Sequence, residues 1–347
     1  MKAIKFFAIS AMAAAMITSC STDDELSQSN YPSDNIIRVT AGVNNAKTRA
    51  DGAGTEMKND FSLTIVNKNT EKPELASKYS YTDKVFSKKS GDWACSETLL
   101  WQNDKTPVDI VAFAPAQEGK FNGVYANGSI QPITYSVATD QSTLSDYNDL
   151  LYYYTPGFVP GGTNLDKDGK LSIQFNHAFC MIDINVTLGT EFNKPEVLDN
   201  SPIVKVTLGG TKIAANVDVK NAATGSTTTT ASVVTASEEA TPTTITTTKG
   251  SFTKAANAEA NAISRFSCIT IPQTVAANTF KVSLMTAGKR YEWTSDKEIT
   301  LQSGYRYTLN LTMGNDVVLL KGGSGSDNGG ISATPWGPGT GGSLETE

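Results

Sequence analysis

From residue 61 onward the sequence is a succession of short runs rich in β-branched and aromatic residues, each closed by turn-forming residues, and no amphipathic stretch extends beyond about three helical turns. In the first half the runs fall at 61–66, 79–86, 93–101, 108–113, 130–137 and 150–154. In the second they fall at 203–208, 213–219, 232–235, 243–248, 266–271, 280–285 and 305–313. Turn signals such as 103–107 (NDKTP) and 118–123 (EGKFNG) separate them at about the 8–12-residue spacing of a β-sandwich. An all-β fold follows. One longer strand-like stretch, 171–188, is introduced by Asp166, Lys167, Asp168 and Gly169. That tetrapeptide lacks the further carboxylates of a calcium loop and reads as a hairpin turn. Residues 221–260 are dominated by Thr, Ala and Ser and suit either exposed hairpins or a partly disordered loop.

Ahead of these runs, Ile37, Val39, Ala41 and Val43 fall on one side of a period-2 pattern and Ile36, Arg38, Thr40 and Gly42 on the other. This predicts a half-buried first strand. Asn44, Asn45 and Lys47 follow, then Thr48, Arg49 and Ala50 leading into a Gly-rich run, a place where a protease is expected to gain access. A cut after Arg49 would sever a whole strand from the chain.

Residues 1–19 carry Lys2 and Lys5 ahead of an apolar run too short for a membrane span, the make-up of a secretory signal. Cys20 stands where cleavage of that signal should fall. Residues 20–35 are polar and acidic and read as a flexible tether. The 347-residue chain has room for two domains of about 150 residues each. Its net charge of −6, without a basic stripe, argues against nucleic acid as a partner. A single histidine, and the three cysteines Cys95, Cys180 and Cys268 beyond Cys20 at unrelated spacings, leave no metal cluster, no cofactor motif and at most one disulfide. His177, flanked by Phe175 and Phe179, reads as a core or domain-interface residue. Tyr152, Tyr153, Tyr154 and Trp93, Trp101, Trp293 and Trp336 are weighed as a sugar platform and as ordinary packing, with packing favoured. No catalytic motif is found, and the chain is not expected to be an enzyme.

After the strand-like 305–313 the pattern breaks: Val317, Val318, Leu319 and Leu320 are apolar on both faces, 321–330 is a Gly/Ser spacer, and Ile331 to Trp336 is apolar again. Apolar segments on such a tail have to pack on their own domain or on another molecule.

Ile17-Thr18-Ser19-Cys20, the short strand ending at Arg49-Ala50, the stretch Phe175, Asn176, His177, Ala178 with Ile182 and Ile184, the run 304–311 (GYRYTLNL) and the late Trp336 together resemble the fimbrillin family of Bacteroidales over almost the whole chain. The first of these is similar to a bacterial lipobox. The resemblance implies a type V pilus subunit exported to the cell surface as an outer-membrane lipoprotein acylated at Cys20. It implies two tandem transthyretin-like β-sandwich domains, 36–166 and 167–347, with an Arg-specific protease removing 36–49. The groove left by Ile37, Val39, Ala41 and Val43 would then be filled by a donor segment of a neighbouring subunit, matched here by Val317, Val318, Leu319, Leu320, Ile331 and Trp336 in a tail from about 316 to 347. Its partners would be other copies or related fimbrial subunits, the outer membrane before processing, and the protease, with a host or bacterial surface ligand left open. The competing reading is a monomeric surface lipoprotein with a glycan-binding β-sandwich, which leaves the Arg49 junction and the apolar tail unexplained.

Overall fold

The computed structural model describes residues 29–44, 55–143, 145–194, 196–222, 232–314, 318–320 and 331–335. Among them regular structure is almost entirely strand, with one α-helix, α1 (Pro73–Lys78), opened by a proline in its first turn. In chain order the strands of the first half are β1 Arg38–Val43, β2 Thr55–Glu56, β3 Phe61–Asn67, β4 Tyr81–Lys89, β5 Asp92–Cys95, β6 Val108–Ala114, β7 Tyr125–Ala126, β8 Ser129–Ile130, β9 Ile133–Ser136, β10 Leu151–Phe158 and β11 Lys170–His177. There follow β12 Cys180–Leu188, β13 Ile203–Thr211, β14 Ala214–Val217, β15 Val234–Ala236, β16 Thr243–Thr246, β17 Thr248–Thr253 and β18 Ala262–Thr270. The last are β19 Gln273–Val275, β20 Lys281–Thr286, β21 Arg290–Thr294, β22 Ile299–Leu301, β23 Tyr305–Met313, β24 Val318–Leu320 and β25 Ser332–Pro335. The all-β expectation holds.

The first sheet has eight strands in the order β2-β1-β11-β10-β6-β3-β4-β5. It rolls over on itself, so that β5 at one end comes to lie against β1 near the other. Lys170 on β11 reaches Asp92 on β5 at 2.9 Å across the mouth of the roll. Inside, Ile37, Val39, Val43, Phe61, Leu63, Ile65, Phe86, Ile110, Leu171, Ile173 and Phe175 form one core. The Phe61 ring meets Phe175 at 5.5 Å and Trp93 at 4.9 Å, both edge-on. β3 and β6 are buried along their whole length. This explains why 108–113 reads as an unbroken apolar run: Ile110 and Ala112 face the roll, while Val111 and Phe113 face a second core.

That second core fills the space between a six-stranded sheet, β17-β18-β12-β23 with β24 and β25 on the far edge of β23, and a four-stranded sheet, β16-β13-β20-β21. β16 and β17 are separated only by Thr247 and carry the chain from one sheet to the other. Most inward positions alternate with polar outward ones, as in β23, where Tyr307, Leu309, Leu311 and Met313 are buried and Asn310 is exposed.

Two expectations change. The run 93–101 is not one strand: β5 ends at Cys95, and residues 99–101 instead line the approach to β1, with Ile36 bridged to Leu100. The stretch 171–188 is two strands in two sheets. β11 pairs with β1 and β10 in the first, β12 with β18 and β23 in the second, so the chain crosses between sheets at 178–179. Traffic also runs the other way: β9, from the first half, pairs with β14 at Ile133↔Val217 through Ser136↔Ala214.

Candidate functional site

The site is built around β1. It runs parallel to β11 from Arg38 opposite Lys170 to Val43 opposite Phe175, and antiparallel to β2 at Gly42↔Glu56 and Val43↔Thr55. The first strand is therefore flanked on both sides. Its predicted phase is observed: Ile37, Val39 and Val43 are buried in the roll, and Ala41 is half-buried against the same core. Parallel pairing to a strand more than a hundred residues away leaves no local sequence signal.

Upstream of β1 the backbone is fastened at several points. The Asn30 N–H donates to Gly162 O and its side-chain amide to Leu165 O, both at 2.9 Å. Trp101 N–H donates to Asn35 O at 2.8 Å and Ile37 N–H to Leu99 O at 2.9 Å. Tyr31 packs on the core of the roll, and burial is the main cause that pushes its hydroxyl up to about 12. Downstream, Asn44 N–H donates to Phe175 O at 2.8 Å, and its side-chain amide to Asn176 Oδ1 at 2.9 Å. Sequence reasoning missed the clasp at 29–35, because a polar, aperiodic stretch carries no strand signal even where its backbone is tied down, as at Asn30 and Asn35.

Cys20, Arg49, Ala50, Val317 and Trp336 lie outside the described residues. The rest of the apolar tail packs on its own chain. β24 pairs with β23 at Leu311↔Leu320, Thr312↔Leu319 and Met313↔Val318, and β25 pairs with the same edge at Tyr305↔Pro335 through Thr308↔Ser332. Ile331 is fully buried in the second core. The structure thus brings the tail residues together along β23, in a different sheet from β1.

The other residues singled out by sequence are used in packing. His177 is buried at the end of β11, where the chain leaves the first sheet, with Nδ1 2.9 Å from Asp149 Oδ1. Tyr153 packs on the core of the roll, Tyr152 and Tyr154 on the second core, and burial raises the pKa of all three hydroxyls. Trp101 is buried, Trp93 packs in the roll, and Trp293 packs edge-on to Phe280 at 6.4 Å. Asp166 spends its carboxylate on the N–H groups of Asp168 and Lys170 at 2.9 and 2.8 Å, which makes 166–169 a turn. Cys180 and Cys268 are free thiols whose burial raises their pKa, and Cys95 is free and half-buried. Among the described residues no group of His, Cys, Asp and Glu is arranged to hold a metal ion, and no helix is long and apolar enough to cross a membrane.

The architecture defines a class: an all-β protein in which an N-terminal strand closes one rolled sheet and C-terminal segments close the edge of another. The sequence pattern of the family described as fimbrillin-like matches residues 48–336, and the chain belongs to that family. Among solved structures it is similar to a candidate cell adhesion protein of Bacteroides ovatus, with 15% identity, a TM-score of 0.55, and 87% of this chain and 97% of that one covered. A second candidate cell adhesion protein, from Bacteroides uniformis, is similar at 14% identity and a TM-score of 0.53, with 88% and 99% covered. A fimbrial protein of Bacteroides vulgatus is similar at 15% identity and a TM-score of 0.50, with 87% and 99% covered. At these identities the likeness is one of fold. No curated protein matches the chain.

Proposed function

We propose that this chain is a non-enzymatic structural subunit of cell-surface fimbriae: exported as a lipoprotein through Cys20, cut after Arg49 by an Arg-specific protease, and polymerised when a strand of another subunit replaces β1. Two tandem sandwich domains belong to this reading, with their border moved to 178–179. Membership of the fimbrillin-like family supports the fimbrial role, and cell-surface location with it. The observation that carries the assembly step is the seating of β1. Ile37, Val39 and Val43 are buried, and at about 1.5–3 kcal/mol each they contribute roughly 4.5–9 kcal/mol before ordering costs. That is comparable to the whole stability of a small domain, about 5–15 kcal/mol, so a body deprived of β1 has to capture a replacement or aggregate. A replacement drawn from another copy gives head-to-tail contacts that need not close, which is the geometry of a filament.

The test is to treat the soluble chain, residues 21–347, with an Arg-specific protease. The expected product begins at Ala50 and builds ladders that resist cold SDS, while Arg49→Ala stays monomeric. A product that is cut at Arg49, loses 36–49 and remains a folded monomer would sink the proposal. Cys20→Ala should send the precursor to soluble fractions, and unchanged membrane association would remove the lipid anchor from the reading.

A further inference from the structure

Hydrolysis of the Arg49–Ala50 bond adds one water and leaves a carboxylate on Arg49 and an ammonium on Ala50. It breaks none of the contacts that hold β1. The strand has a hydrogen-bonded neighbour on each edge, β11 on one side and β2 on the other, and β2 begins at Thr55, beyond the junction. The two ends of a severed connection would therefore still be paired strands. Met57 N–H adds a further bond to Ala41 O at 3.4 Å. Three side chains of the segment are buried in the roll, and the six hydrogen bonds named above at Asn30, Asn35, Ile37 and Asn44 fasten it further. At Gly169, which has φ +72°, the chain passes so close to the clasp that an added Cβ would lie 3.0 Å from Asn30 O.

We propose that residues 29–44 stay seated after the cut as a non-covalent plug, and that the incoming strand, not the protease, dislodges them. The inference rests on the Arg49 processing read above and adds to it a bound partner, the chain's own cut leader. Cleavage then arms the subunit without opening the groove, so no apolar surface is exposed while a replacement is lacking. The lipid on Cys20 is continuous with the plug. A cut subunit accordingly remains on the membrane through hydrogen bonds and packing alone, and release from the membrane and entry into the polymer become one event.

The soluble chain from residue 21 is cut at Arg49 and run on a sizing column under native conditions, with intact masses read from each fraction. The fragment ending at Arg49 should co-elute with the body and separate from it only in denaturant. A fragment that elutes apart from a folded monomeric body overturns the plug. Asn30→Ala with Tyr31→Ala should release the fragment roughly tenfold faster, equivalent to about 1.4 kcal/mol, and an unchanged release rate would overturn the clasp. In a second variant, residues 46–52 are replaced by the recognition sequence of an unrelated site-specific protease. Retention there together with no cut at Arg49 in the natural sequence would overturn the processing and leave the plug standing. Cutting of the natural sequence at Arg49, with the fragment lost both there and from the second variant after its own cut, would do the reverse.

Discussion

Gly169 occupies the left-handed region, and its absent side chain is what lets the Asn30 carbonyl approach the 166–169 turn. Gly169→Ala should cost about 1–2 kcal/mol from backbone strain alone, read as a lower urea midpoint. Inside the roll, Ile37→Ala should cost about 2–5 kcal/mol and Phe175→Ala about 3–5, because both side chains are buried and Phe175 also loses its contact with Phe61. If Ile37→Ala left the uncut chain as stable as before, β1 would not be a core strand. Asp34 gives a pH signature at the same place. Hydrogen bonds from Arg38, then from the Ile36 N–H, lower its pKa to about 2. An unfolded aspartate ionises near about 3.9, so the contribution of the pair is complete above that value and is lost as pH falls toward about 2. The difference in thermal midpoint between the natural chain and Asp34→Asn should therefore shrink across that window. A difference that stays constant on acidification would assign the effect of Asp34 to something other than its charge.

For the strands, register is the main variable, and β1 makes it measurable. Val39 points into the roll and Thr40 does not, so Val39→Asp should abolish folding of the uncut chain or its retention of 29–44, whereas Thr40→Asp should be tolerated. Equal damage from both would mean that the strand is not held in the observed register. Sequence alternation revealed this phase because Ile37, Val39, Ala41 and Val43 pack on the core of the roll, while Arg38 and Thr40 between them are polar and only half-buried. It revealed β23 for the same reason, residue for residue. It failed between Phe175 and Cys180, although a signal was present: the inward positions are Leu171, Ile173 and Phe175 on β11 but Cys180, Ile182, Ile184, Val186 and Leu188 on β12. The switch from odd to even marks the crossing between sheets, masked by the run of buried residues from His177 to Ile184. The tail was legible as apolar but not as paired. Since Ile331 is fully buried on its own chain, deletion from Asp316 onward should cost about 2–5 kcal/mol as well as remove the proposed donor. A truncated chain of unchanged stability would show that β24 and β25 do not hold β23.

Across the whole molecule the two halves share residues, and this was out of reach of the sequence. The border near 166 came with the family resemblance; strand partners are chosen by packing over long separations, and neither β1 with β11 nor β9 with β14 leaves a local trace. The second core takes in Val111, Phe113, Phe121 and Tyr135 from the first half along with Phe179, Ile182 and Leu309 from the second. Phe113 stacks on Phe121 at 4.8 Å, and Tyr135 meets Phe179 at 5.7 Å. The connection between β9 and β10 reaches the second half as well: the buried Gln141 side chain donates to Ile269 O and accepts from Ile269 N–H, both at 2.8 Å, pairing with β18 as a strand residue would. A hinge would need few contacts across the border, and here a core, a strand and the β9–β10 connection all cross it. The intact chain should therefore unfold in one cooperative transition, with near-ultraviolet and far-ultraviolet dichroism giving the same midpoint. Residues 180–347 produced alone should fail to fold, since they lack β9 and the aromatic rings that complete the second core. Adding the separate first half, residues 21–179, should restore the signal. Two resolved transitions, or a folded second half on its own, would show that the shared core contributes little and that a pull along a filament could separate the halves.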